Sequence, residues 1–365
     1  SRTDGSDGDR MRILDRYIVR TILGGVGLWM ALLMSLGALF LFINQQDDIG
    51  VGNYRAADAL FYVLLNLPEQ AWQMLPIATL IGSLMGLGTL ARGSEITVVR
   101  ATGVSPRRIA LSALIAGLIL IVIAVGLGEF LAPQLEQAAK QQKAFSKFSD
   151  ITFGGAGGAW VRDNTLILNA TRQSGEGQFG GMTIFELSPD HKLRAIGHAA
   201  RASAGTNDEW LLRGYSESRF ASDRVLTRKS GERRLESNVS ASFLGLAVQD
   251  PHDMQIATLW PLIRYYQTNA LDVRPYLFAF WSRIARTVAI AFAVLLPVPF
   301  VLGSLRSAGA GARAAVGMML GIGFFLLQRL IESGTLVFDL NPIILAWLPT
   351  ALLALVSVIL LARAR

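Results

Sequence analysis

The chain has 365 residues, of which 52% are hydrophobic and 17% are charged, and its mean hydropathy is +0.42. This apolar composition excludes a single soluble domain and directs attention to membrane spans. The sequence contains no cysteine, which excludes disulfides, thiolate metal sites and cysteine nucleophiles. The net charge is +7, but the arginines cluster beside apolar runs, so membrane topology explains most of it and no nucleic-acid partner is expected.

The N-terminal region is polar over residues 1–10 and amphipathic over residues 11–20. The first segment reads SRTDGSDGDR, and for this polar, glycine-containing composition we predict disorder. In the second segment Ile13 and Tyr17 share an apolar helical face, and Arg16 lies on the opposite face. This pattern predicts an interfacial helix that lies in the headgroup layer before the chain enters the membrane.

Six apolar runs are long enough, or nearly long enough, to cross a membrane. A hydrocarbon core of roughly 30 Å requires about 20 residues in a helix. The runs are residues 21–43, 58–90, 109–132, 276–303, 314–338 and 342–362. The predicted fold class is therefore an α-helical polytopic membrane protein with six transmembrane helices, three in residues 11–132 and three in residues 276–365.

The charges in the short loops alternate along the chain. Arginines flank one end of the spans, at Arg10, Arg12, Arg16, Arg20, Arg92, Arg100, Arg107, Arg108, Arg306, Arg313, Arg363 and Arg365. Acids mark the opposite end, at Asp47, Asp48, Asp58 and Asp339. Because basic loops stay in the cytoplasm, we predict that both termini are cytoplasmic and that residues 133–275 lie outside.

The basic loop between the second and third runs contains the segment LGTLARGSEITVVRATGVS at residues 87–105. Its spacing predicts a cytoplasmic coupling helix, within about 90–104, that presents a surface to a partner protein. Glu95 would lie near the start of that helix, where it could pair with an arginine of the partner. Ile96 and Val99 would supply apolar contact, with Val98 as a further candidate, and Arg92 would flank them.

The outside region changes character after a glycine cluster at residues 154–158. Short strand-like runs separated by turn signals follow, and they predict an inserted all-β domain of the sandwich or jellyroll type, with connectors, within residues 133–275. The expected strands are residues 159–162, 165–170, 181–187, 193–200, 209–215 and 234–239. Its expected interior positions are Trp160, Leu166, Leu168, Ile184 and Trp210.

The sequence offers little catalytic chemistry. It lacks a GxxxxGK[ST] motif, so energy from ATP would have to come from a separate chain. The histidines are His191, His198 and His252, and their spacing does not match a metal site. We therefore expect no catalytic residue, no metal and no cofactor bound by this chain.

Several polar groups lie in or near the spans. The spacing of Lys140, Lys143 and Lys147 places them on one helical face just outside the third run. Arg283 would either reach lipid headgroups or serve a function, and these alternatives stay open. For Arg329 and Glu332, an ion pair within the chain is favoured over a ligand site.

Four sequence pieces, taken together, resemble a known family. They are LDRYI at residues 14–18, the segment around Glu95, GEFLAPQLEQ at residues 128–137 and GSLRSAGAGAR at residues 303–313. In order and spacing they resemble the lipopolysaccharide export permeases of the LptF/LptG family, most closely the LptG type. The resemblance covers nearly the whole chain, including the six spans and the middle β domain.

The resemblance implies a permease subunit of an ABC-type transporter in the bacterial inner membrane. It implies a sister permease of the LptF type and two cytoplasmic ATPase subunits of the LptB type, which would bind ATP and Mg. Lipopolysaccharide would be extracted from the inner membrane and passed to periplasmic bridge proteins of the LptC and LptA type, toward the outer membrane.

The resemblance also implies roles for individual residues. Contact with lipid phosphates is expected at Lys140, Lys143, Lys147, Arg286 and Arg329. Spans one and five are expected to form lateral gates with the sister permease. Sliding of span five would be eased by Gly317, Gly321 and Gly323, although static packing within the chain is the alternative. One departure concerns Asp47 and Asp48, which lie where the family often has basic residues and would repel a phosphate.

Two other functions stay open. The first is an ABC-type membrane protein that transmits force without a lipid path of its own. The second is a membrane-bound glycan or lipid enzyme that would use Glu129 and Glu136, which share a helical face at i and i+7.

Overall fold

The computed structural model describes most of the chain. The described residues are 4–50, 53–147, 151–152, 159–163, 165–175, 178–188, 192–204, 209–220, 224–236, 251–269, 271–303, 309–334 and 340–363. Predictions for Arg306, Asp339, His191 and the glycine cluster at 154–158 lie outside these residues.

Long helices dominate both halves of the described chain. The helices of the first half are α1 (Asp4–Ile43), α2 (Ala56–Arg92), α3 (Glu95–Ala101), α4 (Pro106–Val125) and α5 (Ala132–Lys147). Those of the second half are α6 (Ile256–Thr268), α7 (Arg274–Leu295), α8 (Pro297–Leu302), α9 (Ala310–Gly334) and α10 (Pro342–Arg363). A π-helical segment, Gly126–Leu131, joins α4 to α5, and short 3₁₀ helices lie at Gln46–Asp48 and Pro251–Asp253.

The structure confirms six helical stretches that are long and apolar enough to cross a membrane. They are Ile13–Asp48, Ala56–Arg92, Pro106–Lys140, Arg274–Leu302, Ala310–Ser333 and Pro342–Arg363. Each reaches the length of about 20 residues that a bilayer core requires. The chain is therefore a polytopic membrane protein, as its sequence predicts.

The N-terminal helix differs from the expected two-part arrangement. Instead of a disordered segment followed by a separate interfacial helix, α1 runs without interruption from Asp4 into the first span. The amphipathic segment at residues 11–20 is therefore part of the same continuous helix as the first span.

Helix α1 packs closely against α2 through glycine. A side chain at Gly82 would overlap the α1 backbone at Val26, and a Cβ at Gly86 would lie 2.7 Å from the carbonyl oxygen of Thr21. Small residues of this kind let membrane helices approach each other. In the second half, Thr350 of α10 donates a hydrogen bond to the Ala285 carbonyl of α7 at 2.9 Å.

The insertion between the two helical halves is a seven-stranded antiparallel sheet. Its strands are β1 (Ile151–Thr152), β2 (Ala159–Asp163), β3 (Leu166–Gly175), β4 (Gln178–Leu187), β5 (Leu193–Ala204), β6 (Glu209–Phe220) and β7 (Val225–Glu236). The order is β1-β3-β4-β5-β6-β7, and β2 also pairs with β3. The inserted β domain is thus confirmed, whereas the arrangement of a jellyroll as two facing sheets stays a prediction.

One face of the sheet forms a core, and four of its five predicted positions are inward. Leu168, Ile184 and Trp210 are buried, and Leu166 is partly buried against the same cluster. Trp160 is the exception, because 53% of it is exposed and its ring stacks on Phe185. Its size and apolarity suggested the interior, but it sits on the outer face of β2.

The last strand is the largest difference between the predicted and observed sheet. The sequence predicted a strand at residues 234–239, but β7 extends from Val225 to Glu236, and residues 237–239 lie outside the described chain. The run TRKSGERR within β7 did not indicate a strand, because so many charged residues are typical of a solvated loop. Charged side chains are nevertheless common on sheet edges.

Candidate functional site

The loop between α2 and α4 forms a short helix with one exposed and one buried face. Gly93 and Ser94 turn the chain sharply, and Ser94 adopts a left-handed backbone conformation with φ of 62°. Helix α3 then begins at Glu95 and ends at Ala101, close to the predicted limits. Glu95, Arg92 and Val98 are exposed.

The faces of α3 differ in part from the prediction. Ile96, which was expected to contact a partner, is only 7% exposed and packs into the membrane-domain core. Val99 is partly buried, and the outward apolar side chain is Val98, which is 62% exposed. The outward surface of α3 is therefore made by Glu95 and Val98, with Arg92 beside them.

A cavity of about 340 Å³ lies beside α3. Its walls come from the end of α2, from Ile96, Thr97 and Arg100 of α3, and from Val301 and Leu302 of α8. Helix α3 thus rests against segments from both halves of the protein, so a displacement of α3 would reach both halves.

The first helix is also tied to this region. Asp15 of α1 accepts hydrogen bonds from Arg108 and Ser112 of α4, each at 2.5 Å. The hydroxyl of Tyr17 lies close enough to the Glu95 carboxylate for the two groups to interact electrostatically. These interactions link α1 to α4 and place α1 beside α3.

The lysine face of α5 meets acids on neighbouring segments. Lys140 pairs with Glu136 at 2.9 Å, and Lys143 pairs with Asp48 at 2.6 Å. Lys143 also lies over the Tyr62 ring, 4.9 Å from its centroid. Lys147 is the last residue of α5, and its side chain lies outside the described part.

The acids that were expected to repel a phosphate therefore lie beside the lysines. Asp48 neutralises part of the lysine face, while Asp47 is exposed one residue earlier. Nearby, burial raises the pKa of the Tyr54 hydroxyl to about 12, so this hydroxyl stays protonated. It donates a hydrogen bond to Gln45 Oε1 at 3.4 Å. These residues form a packed polar region that contains the ammonium groups of Lys140 and Lys143.

A second polar cluster lies at the ends of the spans that are nearer to the β domain. Arg283 does not reach out to headgroups, since only 2% of its side chain is exposed and it pairs with Glu129 at 3.0 Å. Arg286 lies over the Trp72 ring, 4.8 Å from its centroid. Arg329 forms the predicted pair with Glu332, at 3.1 Å, and 68% of its side chain is exposed.

Two of the three glycines singled out in span five face α2 within the chain. A Cβ at Gly317 would lie 3.3 Å from Ile81, and one at Gly321 would lie 2.9 Å from Ile77. A Cβ at Gly323 would have no neighbour within 4 Å. This geometry favours static packing for Gly317 and Gly321, so the gate assignment stays a prediction.

Sequence reasoning missed the Glu129–Arg283 and Asp15–Arg108 pairs. A usable signal was present for the first, because ionisable residues in apolar helices rarely lack a partner. The second joins residues 93 positions apart, which no local pattern reveals. Among the described residues, no group of three or more potential ligands could hold a metal ion.

Similarity to known proteins decides between the remaining classes. The family described as "Lipopolysaccharide export system permease LptF/LptG" matches residues 16–363 of the chain. The chain belongs to this family. The LptG protein of Escherichia coli (strain K12) is 30% identical over 353 residues, which cover 96% of this chain and 98% of that protein.

Other relatives agree with this assignment. The LptG protein of Haemophilus influenzae is 28% identical over 353 residues, covering 96% of this chain and 99% of that protein. The LptF protein of Escherichia coli (strain K12) is 24% identical over 350 residues, covering 92% of this chain and 90% of that protein. The chain is thus more similar to these LptG proteins, and its family is one of transport permeases rather than enzymes.

Proposed function

We propose that this chain is an LptG-type permease subunit that extracts lipopolysaccharide from the inner membrane and passes it to a periplasmic bridge. The observation that carries the proposal is the family match over residues 16–363, which includes the six spans and the inserted β domain. The enzyme alternative loses its support, because the carboxylates of Glu129 and Glu136 form ion pairs with Arg283 and Lys140.

The proposed complex contains a sister permease of the LptF type and two ATPase subunits of the LptB type. The similarity to LptF proteins supports a related second permease. The absence of a P-loop from the sequence supports separate ATPases that bind ATP and Mg. In this arrangement both termini and α3 are cytoplasmic, and the β domain faces bridge proteins of the LptC and LptA type.

The proposed ATPase contact is the outward surface of α3. Glu95 supplies a negative charge for an arginine of the ATPase, and Val98 supplies an apolar contact. The cavity beside α3 and the proximity of Tyr17 to Glu95 support transmission of movement, because they place α3 against several helices.

The proposed lipid-phosphate contact is the lysine face of α5. Lys140 ends the third candidate span and Lys143 follows it by three residues, so we assign them to the level of a glycolipid headgroup. Both are exposed or partly exposed and already bind carboxylates, which shows that anionic oxygens can reach their ammonium groups. Arg329 offers a further exposed cation, whereas Arg286 is largely enclosed beside Trp72.

Reconstitution tests the function directly. Proteoliposomes should contain this chain, its sister permease, the ATPase and lipopolysaccharide, with soluble bridge protein carrying a photocrosslinker outside. We expect ATP-dependent crosslinking of lipopolysaccharide to the bridge protein, and no crosslinking when the ATPase carries a substitution that blocks hydrolysis. Equal crosslinking without ATP, or in vesicles that lack this chain, would contradict the proposal.

A further inference from the structure

The chain enters and leaves the β domain at two places that meet at one buried ion pair. The outward path passes through the π-helical segment Gly126–Leu131, and the return path passes through Pro251–Asp253 into α6. Arg283 of α7 and Glu129 of the π-helical segment lie between these paths.

The guanidinium of Arg283 binds both paths at once. Its Nε donates to Glu129 Oε1 at 3.0 Å, and its Nη2 donates to the carbonyl oxygen of Gly128, so two bonds hold the outward path. Its Nη1 donates to the carbonyl oxygen of His252 at 3.0 Å, which holds the return path. Only a planar fork with several donors can make these bonds together.

The carboxylate of Glu129 also binds the return path. Its second oxygen accepts a hydrogen bond from the backbone N–H of Ile256, the first residue of α6, at 2.8 Å. The residue before it, Gln255, makes no side-chain capping bond. Glu129 therefore supplies the acceptor at the start of α6 from a position 127 residues earlier in the chain.

Helix α6 connects this ion pair to the β domain. Near its C-terminal end, Tyr265 packs against the buried cluster of the sheet. Along its length, Leu262 and Ile263 pack with Tyr276 and Ala279 of α7. One short helix thus contacts the sheet core and a membrane span, and its first N–H is fixed by Glu129.

Stability alone does not account for this pair. Removing two charges from water is costly, so a buried pair is often no more stable than well-packed apolar residues. What apolar residues cannot supply is the set of directed bonds that fixes three backbone segments. The Trp72 ring, 4.4 Å from the guanidinium, completes the enclosure, and Gly128 leaves the space that this ring occupies.

We propose that Glu129 and Arg283 are positioning residues that hold α6, and through it the β domain, in a fixed relation to the outer ends of the spans. Lipopolysaccharide then passes from the spans to the β domain across an aligned junction. This inference rests on the proposed transport function, but the orientation of the domain can be measured without lipid.

The test uses a double variant, Glu129→Gln with Arg283→Met, in the full complex with sister permease and ATPase. This double variant removes both charges and the guanidinium group of Arg283, and it nearly preserves the volumes of the two side chains. The matched control is Asp272→Asn with Arg274→Met, which removes an exposed pair at the start of the same helix α7.

Two quantities should change in the variant and not in the control. Because the chain has no cysteine, spin labels at Lys192→Cys and Leu340→Cys, both exposed, report the distance between the β domain and the outer ends of the spans. We expect a broader distance distribution and about tenfold slower lipid transfer to the bridge protein, with unchanged ATPase activity. An unchanged distance distribution in the assembled variant would overturn the inference.

A second variant covers the case in which the double variant does not assemble. Arg283→Lys keeps the charge but cannot reach Glu129, His252 and Gly128 together. We expect it to assemble, to broaden the distance distribution and to slow transfer. A wild-type distribution in this variant also overturns the inference, whereas absent transfer in the wild-type complex overturns the proposed function and leaves the distance measurement valid.

Discussion

Lys143 Nζ lies 2.6 Å from Asp48 Oδ2, so the lysine face of α5 and the acidic loop after α1 are in direct contact. Both side chains are partly exposed, at 24% and 23%. A lipid phosphate that approaches Lys143 must therefore compete with Asp48. The acid that would compete with a phosphate also holds the lysine in place.

Reversal of the lysine charges should weaken lipid retention. Each contact between a basic residue and an anionic lipid contributes about 1 kcal/mol, and reversal adds repulsion to the lost attraction. We expect Lys140→Glu with Lys143→Glu to yield an assembled, ATPase-bound complex that retains several-fold less lipopolysaccharide. The measurement is bound lipopolysaccharide per purified complex.

A control separates this role from general anchoring at the headgroups. Lys192→Glu reverses an exposed lysine in the β domain and should leave retention unchanged. If the lysines only anchor the helix, the double variant would lose expression but keep its lipid. Undiminished retention in the assembled double variant would reject the phosphate site.

Removal of the competing acid should have the opposite effect. In Asp48→Asn the ammonium of Lys143 loses its carboxylate partner and becomes available to phosphate. Because an exposed ion pair is worth up to about 1 kcal/mol, we expect retention to rise by up to about fivefold at low salt. The control is Asp58→Asn, which removes an outer acid that accepts from the Arg55 backbone N–H instead. Lower retention in Asp48→Asn would show that Asp48 mainly orients the lysine.

Charge reversal on the coupling helix should uncouple the ATPase. Glu95 is exposed at the start of α3, so Glu95→Lys replaces attraction for an ATPase arginine by repulsion and also removes the carboxylate near Tyr17. We expect weaker co-purification of the ATPase and lower stimulated hydrolysis, with normal membrane insertion. Glu232→Lys, an exposed reversal in the β domain, is the control. Normal assembly and transport in Glu95→Lys would remove the assignment.

The sequence predicted those features that depend on local composition. The six spans follow from apolar runs, and α3 follows from the spacing around Glu95. It could not assign the faces of α3, because a seven-residue helix between two spans carries apolar residues on both sides. Ile96 and Val98 have similar chemistry, and only packing decides that the first is buried.

The partners of charged residues were harder to predict. Arg283 could have reached the headgroups from its position near the end of a span, but the structure pairs it with Glu129, 154 residues earlier. Lys143 and Asp48 were treated as separate features and are in contact. Such pairs depend on how the helices are arranged around each other, which no periodicity in a single chain records.

A pair of glycine variants should show whether the contact between α1 and α2 tolerates an added methyl group. Gly82→Ala would place a methyl group against the α1 backbone at Val26, whereas Gly24→Ala would meet no atom within 4 Å. Overpacking of a tight contact typically costs 1–3 kcal/mol, roughly, while an unhindered helical alanine gains up to about 1 kcal/mol over glycine. We expect Gly82→Ala to unfold at a lower temperature in detergent and Gly24→Ala at the same or a higher temperature. Equal unfolding temperatures would show that α1 can shift at little cost.

The Asp15 carboxylate should stabilise the junction between α1 and α4 through its charge. It accepts from Arg108 Nη2 and from the Ser112 hydroxyl, whereas the buried Nε of Arg108 has no hydrogen-bond partner among the described residues. Asp15→Asn keeps one acceptor for Ser112 but leaves the half-buried guanidinium without a counter-ion. A hydrogen bond to a charged group contributes about 1.5–3 kcal/mol, so we expect a clear fall in the thermal unfolding temperature of the purified protein.

Asp47→Asn, at an exposed acid after the same helix, serves as the control and should change the unfolding temperature little. Because α1 also carries Tyr17, which contacts Glu95, a loosened junction should lower ATPase stimulation as well. An Asp15→Asn protein that unfolds at the wild-type temperature and fully stimulates the ATPase would show that the ion pair neither stabilises the junction nor links α3 to the first span.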